Sequence, residues 1–97
     1  INLNKSMKIL IKKLSNVEFQ VTVKGNKTTN HIVIVNDDIY KKLTYKKVNK
    51  KQLIEFSFKF LLERESNTSI LSSFELIIIS DYFPEFNMTV EKWISSL

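Results

Sequence analysis

The stretch Val17 to Lys24 alternates without a break. Val17, Phe19, Val21 and Val23 are apolar, and Glu18, Gln20, Thr22 and Lys24 are polar. A period of two sorts these side chains onto opposite faces only in a half-buried β-strand. Gly25-Asn26 follows, and a glycine leading a two-residue loop suits a type II′ hairpin turn. Thr28 to Val35 is the return strand, β-branched at Thr28, Thr29, Ile32, Val33, Ile34 and Val35. A two-residue loop pairs Lys24 with Lys27, sets Phe19 against Ile32 and Val17 against Ile34, and completes one apolar face. His31 then faces Gln20 on the other side of the sheet, beside Val33 and Val35. That second face is polar near the turn and apolar further down, so its far end needs a neighbouring strand, a helix or another subunit over it. A longer loop swaps the two faces.

Around the hairpin the chain reads as strand, then helices. Met7 to Leu14 is a first strand, closed by a Ser15-Asn16 turn. Asn36 caps a short helix with Asp37 and Asp38 in its first turn, where the helix dipole favours anions. Asn49 and Gln52 form a capping box for a longer helix from Lys50 to Arg64. Leu53, Ile54, Phe56, Phe58, Phe60, Leu61 and Leu62 cover more than one side of it, so this helix is central or shared with another chain. Ser72 and Glu75 make a second capping box, with Leu71 and Leu76 spaced as a hydrophobic staple. They predict a helix over Ser73 to Phe83, against the strand preference of Ile77-Ile78-Ile79, with Pro84 as its stop. Asn87 to Leu97 is a last helix, with Val90, Trp93, Ile94 and Leu97 on one side. The expected fold is α+β: an N-terminal antiparallel sheet of two or three strands packed on three or four helices.

At 97 residues the chain is one domain, 1–97. Residues 1–6 read as an upstream extension or an expression remnant. No apolar run approaches the roughly 20 residues of a membrane span, and no signal peptide is visible. A cytoplasmic setting, without membrane contact, is the expectation. The absence of Cys excludes disulfides, thiolate metal sites and a Cys nucleophile. A single His excludes sites built on two imidazoles, and a single Gly excludes glycine-rich phosphate loops. His31 lacks triad partners and reads as a sheet-surface residue. Asp37-Asp38 and Glu63-Arg64-Glu65 lack the alternating oxygens of a calcium loop. The sequence therefore marks out no catalytic, cofactor-binding or metal-ligating residue, and the expectation is a protein that is not an enzyme.

Charge is unevenly spread. Ile1 to Lys51 holds twelve Lys against three acidic residues, a net of +9, and Gln52 to Leu97 nets −4. Lys41, Lys42, Lys46, Lys47, Lys50 and Lys51 are concentrated, with Tyr40 and Tyr45 interleaved. Together with Lys24 and Lys27 they are the candidate contacts for nucleic acid. Fourteen of the fifteen basic residues are Lys, whereas nucleic-acid sites favour Arg. The candidate protein interface is Val33, Val35, Phe56, Phe58 and Phe60, the apolar surplus of the second hairpin face and the long helix. The leading expectation is a small interaction or regulatory module, a homodimer or a subunit of an assembly. The alternative is a nucleic-acid-binding protein that uses the Lys-rich 41–51 segment.

The block from His31-Ile32-Val33-Ile34-Val35 through Asp38 and Tyr40, then Leu53 to Glu65, then Ser69 to Phe86, resembles a small prokaryotic family of uncharacterised proteins. The most specific part is Ser69-Ile70-Leu71-Ser72-Ser73-Phe74-Glu75 and its continuation to Tyr82-Phe83-Pro84-Glu85-Phe86. The resemblance implies a hairpin followed by helices and carries no activity. The order from His31 to Glu63 also has a fold-level likeness to ribbon-helix-helix repressors, which points to a dimer.

Overall fold

The structure, a computed structural model, describes residues 7–97. The expectation for residues 1–6 lies outside them. The strands are β1 (Lys8–Lys13), β2 (Glu18–Lys24), β3 (Thr29–Ile34) and β4 (Ser73–Glu75). The helices are α1 (Asp37–Thr44), α2 (Lys50–Leu62), α3 (Ile79–Tyr82) and α4 (Phe86–Ser95), with 3₁₀ turns at Asn67–Ser69 and Leu76–Ile78. The class is α+β, but the sheet has four strands in the order β1-β2-β3-β4. β1, β2 and β3 run antiparallel, and β4 joins β3 in parallel.

The hairpin register corrects the two-residue loop. Phe19 pairs with Val33, Val21 with His31 and Val23 with Thr29. Lys24 to Thr28 separate that last pair, one residue more than the type II′ reading allows. Gly25 does not have the positive φ that such a turn requires. One added loop residue turns β3 over. His31, Val33 and Val35 now lie with Phe19, Val21 and Val23, all between 0% and 2% exposed. Ile32 and Ile34 take the opposite face.

The apolar circumference of α2 is used within this chain. Leu53, Ile54, Ser57, Phe58, Phe60, Leu61 and Leu62 are buried. The Phe58 ring lies 5.5 Å from the His31 ring and 6.1 Å from that of Phe74, on the sheet side. The Phe60 ring meets Phe83 and Phe86 edge-on at 5.9 and 5.1 Å. Phe56, half-buried, stacks on Trp93 of α4 at 4.2 Å. The helix is central because it has the sheet on one side and α3 and α4 on the other. Its Asn49 capping box forms as expected: Asn49 Oδ1 accepts from Gln52 N–H and Gln52 Oε1 accepts from Asn49 N–H, both at 2.8 Å.

The second capping box does not form, and Ser73 to Phe83 is not one helix. Ile32 N–H donates to Ser72 O at 2.8 Å, and Ser73-Phe74-Glu75 pairs with Ile32-Val33-Ile34. An open β3 edge takes these backbone groups in a ladder, and Phe74 enters the core opposite Val33. The isoleucine run starts the helical part instead, as a 3₁₀ turn running into α3. Asn36 stands at the α1 N-cap but makes no cap bond; its amide donates to Glu75 at 3.2 Å. α4 buries Val90 and Ile94 as expected, whereas Leu97 is 64% exposed.

Candidate functional site

Two faces of the sheet divide the chemistry. All buried strand side chains point to the helices. Lys8, Leu10, Lys12, Glu18, Gln20, Thr22, Lys24, Asn30, Ile32, Ile34, Ser73 and Glu75 alternate to the other side. Among the described residues none of these twelve is buried. Leu10 is 48% exposed, and Ile32 and Ile34 are partly exposed. The uncovered apolar surface of this face is thus in two parts, Leu10 on β1 and Ile32 with Ile34 on β3, with the polar side chains of β2 between them and nothing packed on either among the described residues. It was missed in the sequence because the shorter loop had put Ile32 and Ile34 inside. The signal that finds it is the alternation of β2 combined with the longer loop.

The interface residues read from the sequence are placed elsewhere. Val33, Val35 and Phe58 are fully buried and Phe60 is 3% exposed, all in this chain's own core. Only Phe56 retains partial exposure, under its Trp93 stack. The exposed face assigned to Val33 and Val35 belongs to Ile32 and Ile34.

The eight lysines do not form one patch. Lys24 and Lys27 flank the β2–β3 loop. The 41–51 segment begins beyond the opposite end of β3, a strand length of about 20 Å away. Lys41, Lys42, Lys46, Lys47 and Lys51 are exposed. Lys50 is held: its Nζ donates to Asp37 Oδ1 and to Asn16 O, both at 2.6 Å, and lies 5.8 Å from the Tyr40 ring. The Lys50 ammonium, by hydrogen bond and by charge, keeps the Asp37 carboxyl below its ordinary pKa. Between them Tyr45 and Lys46 adopt left-handed backbone, φ 52° and 61°. Such a pair costs about 1–2 kcal/mol per residue without glycine. Thr44 Oγ1 accepts from Lys46 N–H at 3.1 Å and donates to Tyr40 O at 2.7 Å, which holds the turn.

His31 is buried, not on the sheet surface. A carbonyl only accepts, so Nδ1–H donates to Leu71 O at 2.7 Å. Nε2 is hydrogen-bonded to Thr29 Oγ1 at 2.8 Å. Thr29 Oγ1 also accepts from Asn67 Nδ2 at 3.0 Å, and the same amide donates to Lys27 O at 2.8 Å. This chain of four bonds ties the hairpin loop to the segment entering β4. Both imidazole nitrogens are used in it. Asn67, although it lies in the polar run Ser66-Asn67-Thr68-Ser69, is 4% exposed. No buried side-chain polar atom among the described residues lacks a partner.

A groove of about 430 Å³ lies between the end of α2, β4 and α3. Leu61, Ile70, Phe74, Ile78 and Phe83 line it together with Glu65. Burial pushes the Glu65 carboxyl above its ordinary pKa. Nearby, the Arg64 guanidinium lies 3.5 Å over the Phe60 ring and donates to Glu85 at 3.2 Å. A backbone hydrogen bond, then Arg64, lowers the Glu85 pKa. No group of three or more His, Asp or Glu among the described residues is placed to share a metal ion. No helix among them is long and apolar enough to cross a membrane.

The fold therefore defines a two-layer α+β protein, a mixed four-stranded sheet with helices on one face. Comparison with known proteins finds no protein family, no curated protein and no solved structure that matches the chain.

Proposed function

We propose that this chain is a small non-enzymatic interaction module, acting in a cytoplasmic setting, that binds a protein partner through the uncovered face of its sheet. The observation that carries the reading is the set of uncovered aliphatic residues opposite the helix layer, Ile32 beside Ile34 on β3 and, across the polar face of β2, Leu10 at 48% exposure on β1. A sheet that faces water on one side usually alternates to polar residues there. Three aliphatic side chains within one surface gain about 25 cal/mol per Å² when a partner covers them. The lysines and carboxylates around them give such a partner orientation.

The alternative, nucleic-acid binding through Lys41 to Lys51 with Lys24 and Lys27, has less support. Its lysines are split between two ends of the sheet, and Lys50 is engaged with Asp37. The two readings differ in salt response. Contacts with four to six phosphates give a log–log slope of about −3 to −5, whereas apolar burial is not screened.

The chain has no Cys, so Leu10→Cys provides one thiol for a photoreactive label. Lys59→Cys, on the exposed side of α2, is the control. The reading expects protein adducts from the Leu10 position and few from Lys59 when the labelled chain is irradiated in cells of its source. Equal labelling from both positions, or none from Leu10, overturns it.

A further inference from the structure

We infer that the partner fitted by the uncovered face is a second copy of this chain, crossed on it at about a right angle about a two-fold axis. This rests on the interaction reading above and adds the identity of the occupant.

The strand registers place the outward side chains in rows. Lys8 stands beside Lys24; Leu10 beside Thr22 and Asn30; Lys12 beside Gln20, Ile32 and Ser73; and Glu18 beside Ile34 and Glu75. The basic residues gather along β1 and at the hairpin-loop end. The acidic residues occupy the last row, toward β4. Lys8 and Glu75 are diagonally opposite corners. A copy laid face to face across the other diagonal sets Lys8 against Glu75, Lys12 against Glu18 and Leu10 against Ile34. Gln20 and Asn30 fall on the axis and meet their own equivalents. One symmetry operation thus satisfies two kinds of charge pair and sets Leu10 on Ile34, each occurring twice in the dimer, as an isologous contact requires, while Ile32 meets Thr22 and Lys24 meets Ser73.

The other three simple arrangements do worse: an axis along the Lys8–Glu75 diagonal sets each of those two residues on its own equivalent and Leu10 on Lys24. An axis along the strands sets Lys12 on Ser73 and Glu18 on Ile34. An axis across the strands sets Lys24 on Glu18 but buries Leu10 against Lys12. Rows about 6.7 Å apart and strands about 4.8 Å apart leave the crossed pairs offset by about 3–4 Å, within the reach of Lys and Glu side chains. Crossing near 90° is one of the two preferred ways for sheets to stack. The face measures about 14 by 20 Å on those spacings, roughly 300 Å². That is well below the about 800 Å² per partner of a stable complex, so the dimer is weak and reversible.

The test uses Lys12→Glu and Glu18→Lys, both outside the core, with folding checked by thermal melting. Sedimentation equilibrium from about 10 μM to 1 mM spans a weak association. The native chain should dimerise. Each variant alone faces like charges at both copies of the pair and should lose about tenfold or more in association. An equimolar mixture of the two should regain it, because each introduced charge then meets its opposite on the other chain. Neither chain carries both changes, so recovery cannot arise within one molecule. Native-like association of the single variants, or no recovery on mixing, overturns the inference. In the Leu10 labelling experiment, an adduct of twice the chain's mass supports the second copy. Adducts to other proteins alone overturn it while leaving the interaction reading standing, and the absence of adducts overturns both.

Discussion

Replacing His31 with Leu keeps a side chain of similar size in the core and removes two hydrogen bonds. The bonds lost are those to Leu71 O at 2.7 Å and to Thr29 Oγ1 at 2.8 Å. A buried group left without its partner costs about 1–3 kcal/mol. Leu71 is 45% exposed and Thr29 is partly exposed, so water can reach some of what is left and the lower part of that range applies. The tilted contact with Phe58, 5.5 Å between centroids, adds about 0.5–1 kcal/mol. The greater apolarity of Leu returns a part of this. The net loss is about 2–3 kcal/mol. For a domain of this size that lowers Tm by roughly 10–20 °C. Thermal and urea unfolding of His31→Leu, Thr29→Val and the double variant measure it. The connected chain of bonds predicts a coupling of about 1 kcal/mol between the two sites. A loss under about 0.5 kcal/mol, or strictly additive effects, would show that the network does not hold the loop to β4.

Three further outcomes follow from the same geometry. Asn49→Ala should cost about 1 kcal/mol in urea unfolding, because it breaks a formed capping box, whereas Ser72→Ala should cost less than about 0.5 kcal/mol, because the serine of the second box caps nothing. Glu65→Gln should stabilise the protein at neutral pH and not in acid: a raised carboxyl pKa is a penalty present above the folded value and gone below the unfolded one, and melts at pH 7 and pH 3 compare the two. Lys50→Met should weaken the fold most at neutral pH; the lowered Asp37 pKa means that its stabilisation exists above the ordinary carboxylate range and fades as pH falls through the folded value, so the gap from the native chain narrows in acid while the lost bond to Asn16 O keeps it open.

What the sequence made legible was local. The alternation from Val17 to Lys24 identifies β2 because side-chain direction depends only on the strand itself. The Asn49 capping box is likewise settled within four residues. What it left hidden depended on distant partners. The face of β3 turns on a single loop residue, and neither loop length is disfavoured by Gly25-Asn26-Lys27 alone. Ser72 to Glu75 satisfied every local rule for a helix start, yet β3 offered that backbone a ladder. His31 became a core residue by the same slip, and its acceptor at Leu71 comes from forty positions further on. The candidate site shared that fate: every one of its aliphatic residues was visible, but the side of the sheet on which Ile32 and Ile34 emerge was not.

β4 is only three residues long, and Ser73 follows its partner Ile32 by 41 positions. On a ribosome adding about 5–20 residues per second, that distance is a delay of several seconds. Throughout it, β3 emerges with an unguarded row of amides and carbonyls. The short strand is therefore a late-arriving stopper: once seated, it occupies the margin where another nascent chain could otherwise add itself. A polypeptide released between Leu62 and Ser73 would keep that margin open for good. Such fragments should grow into filaments or exchange strands, even though nearly all of the sheet's hydrogen bonds are already within their reach.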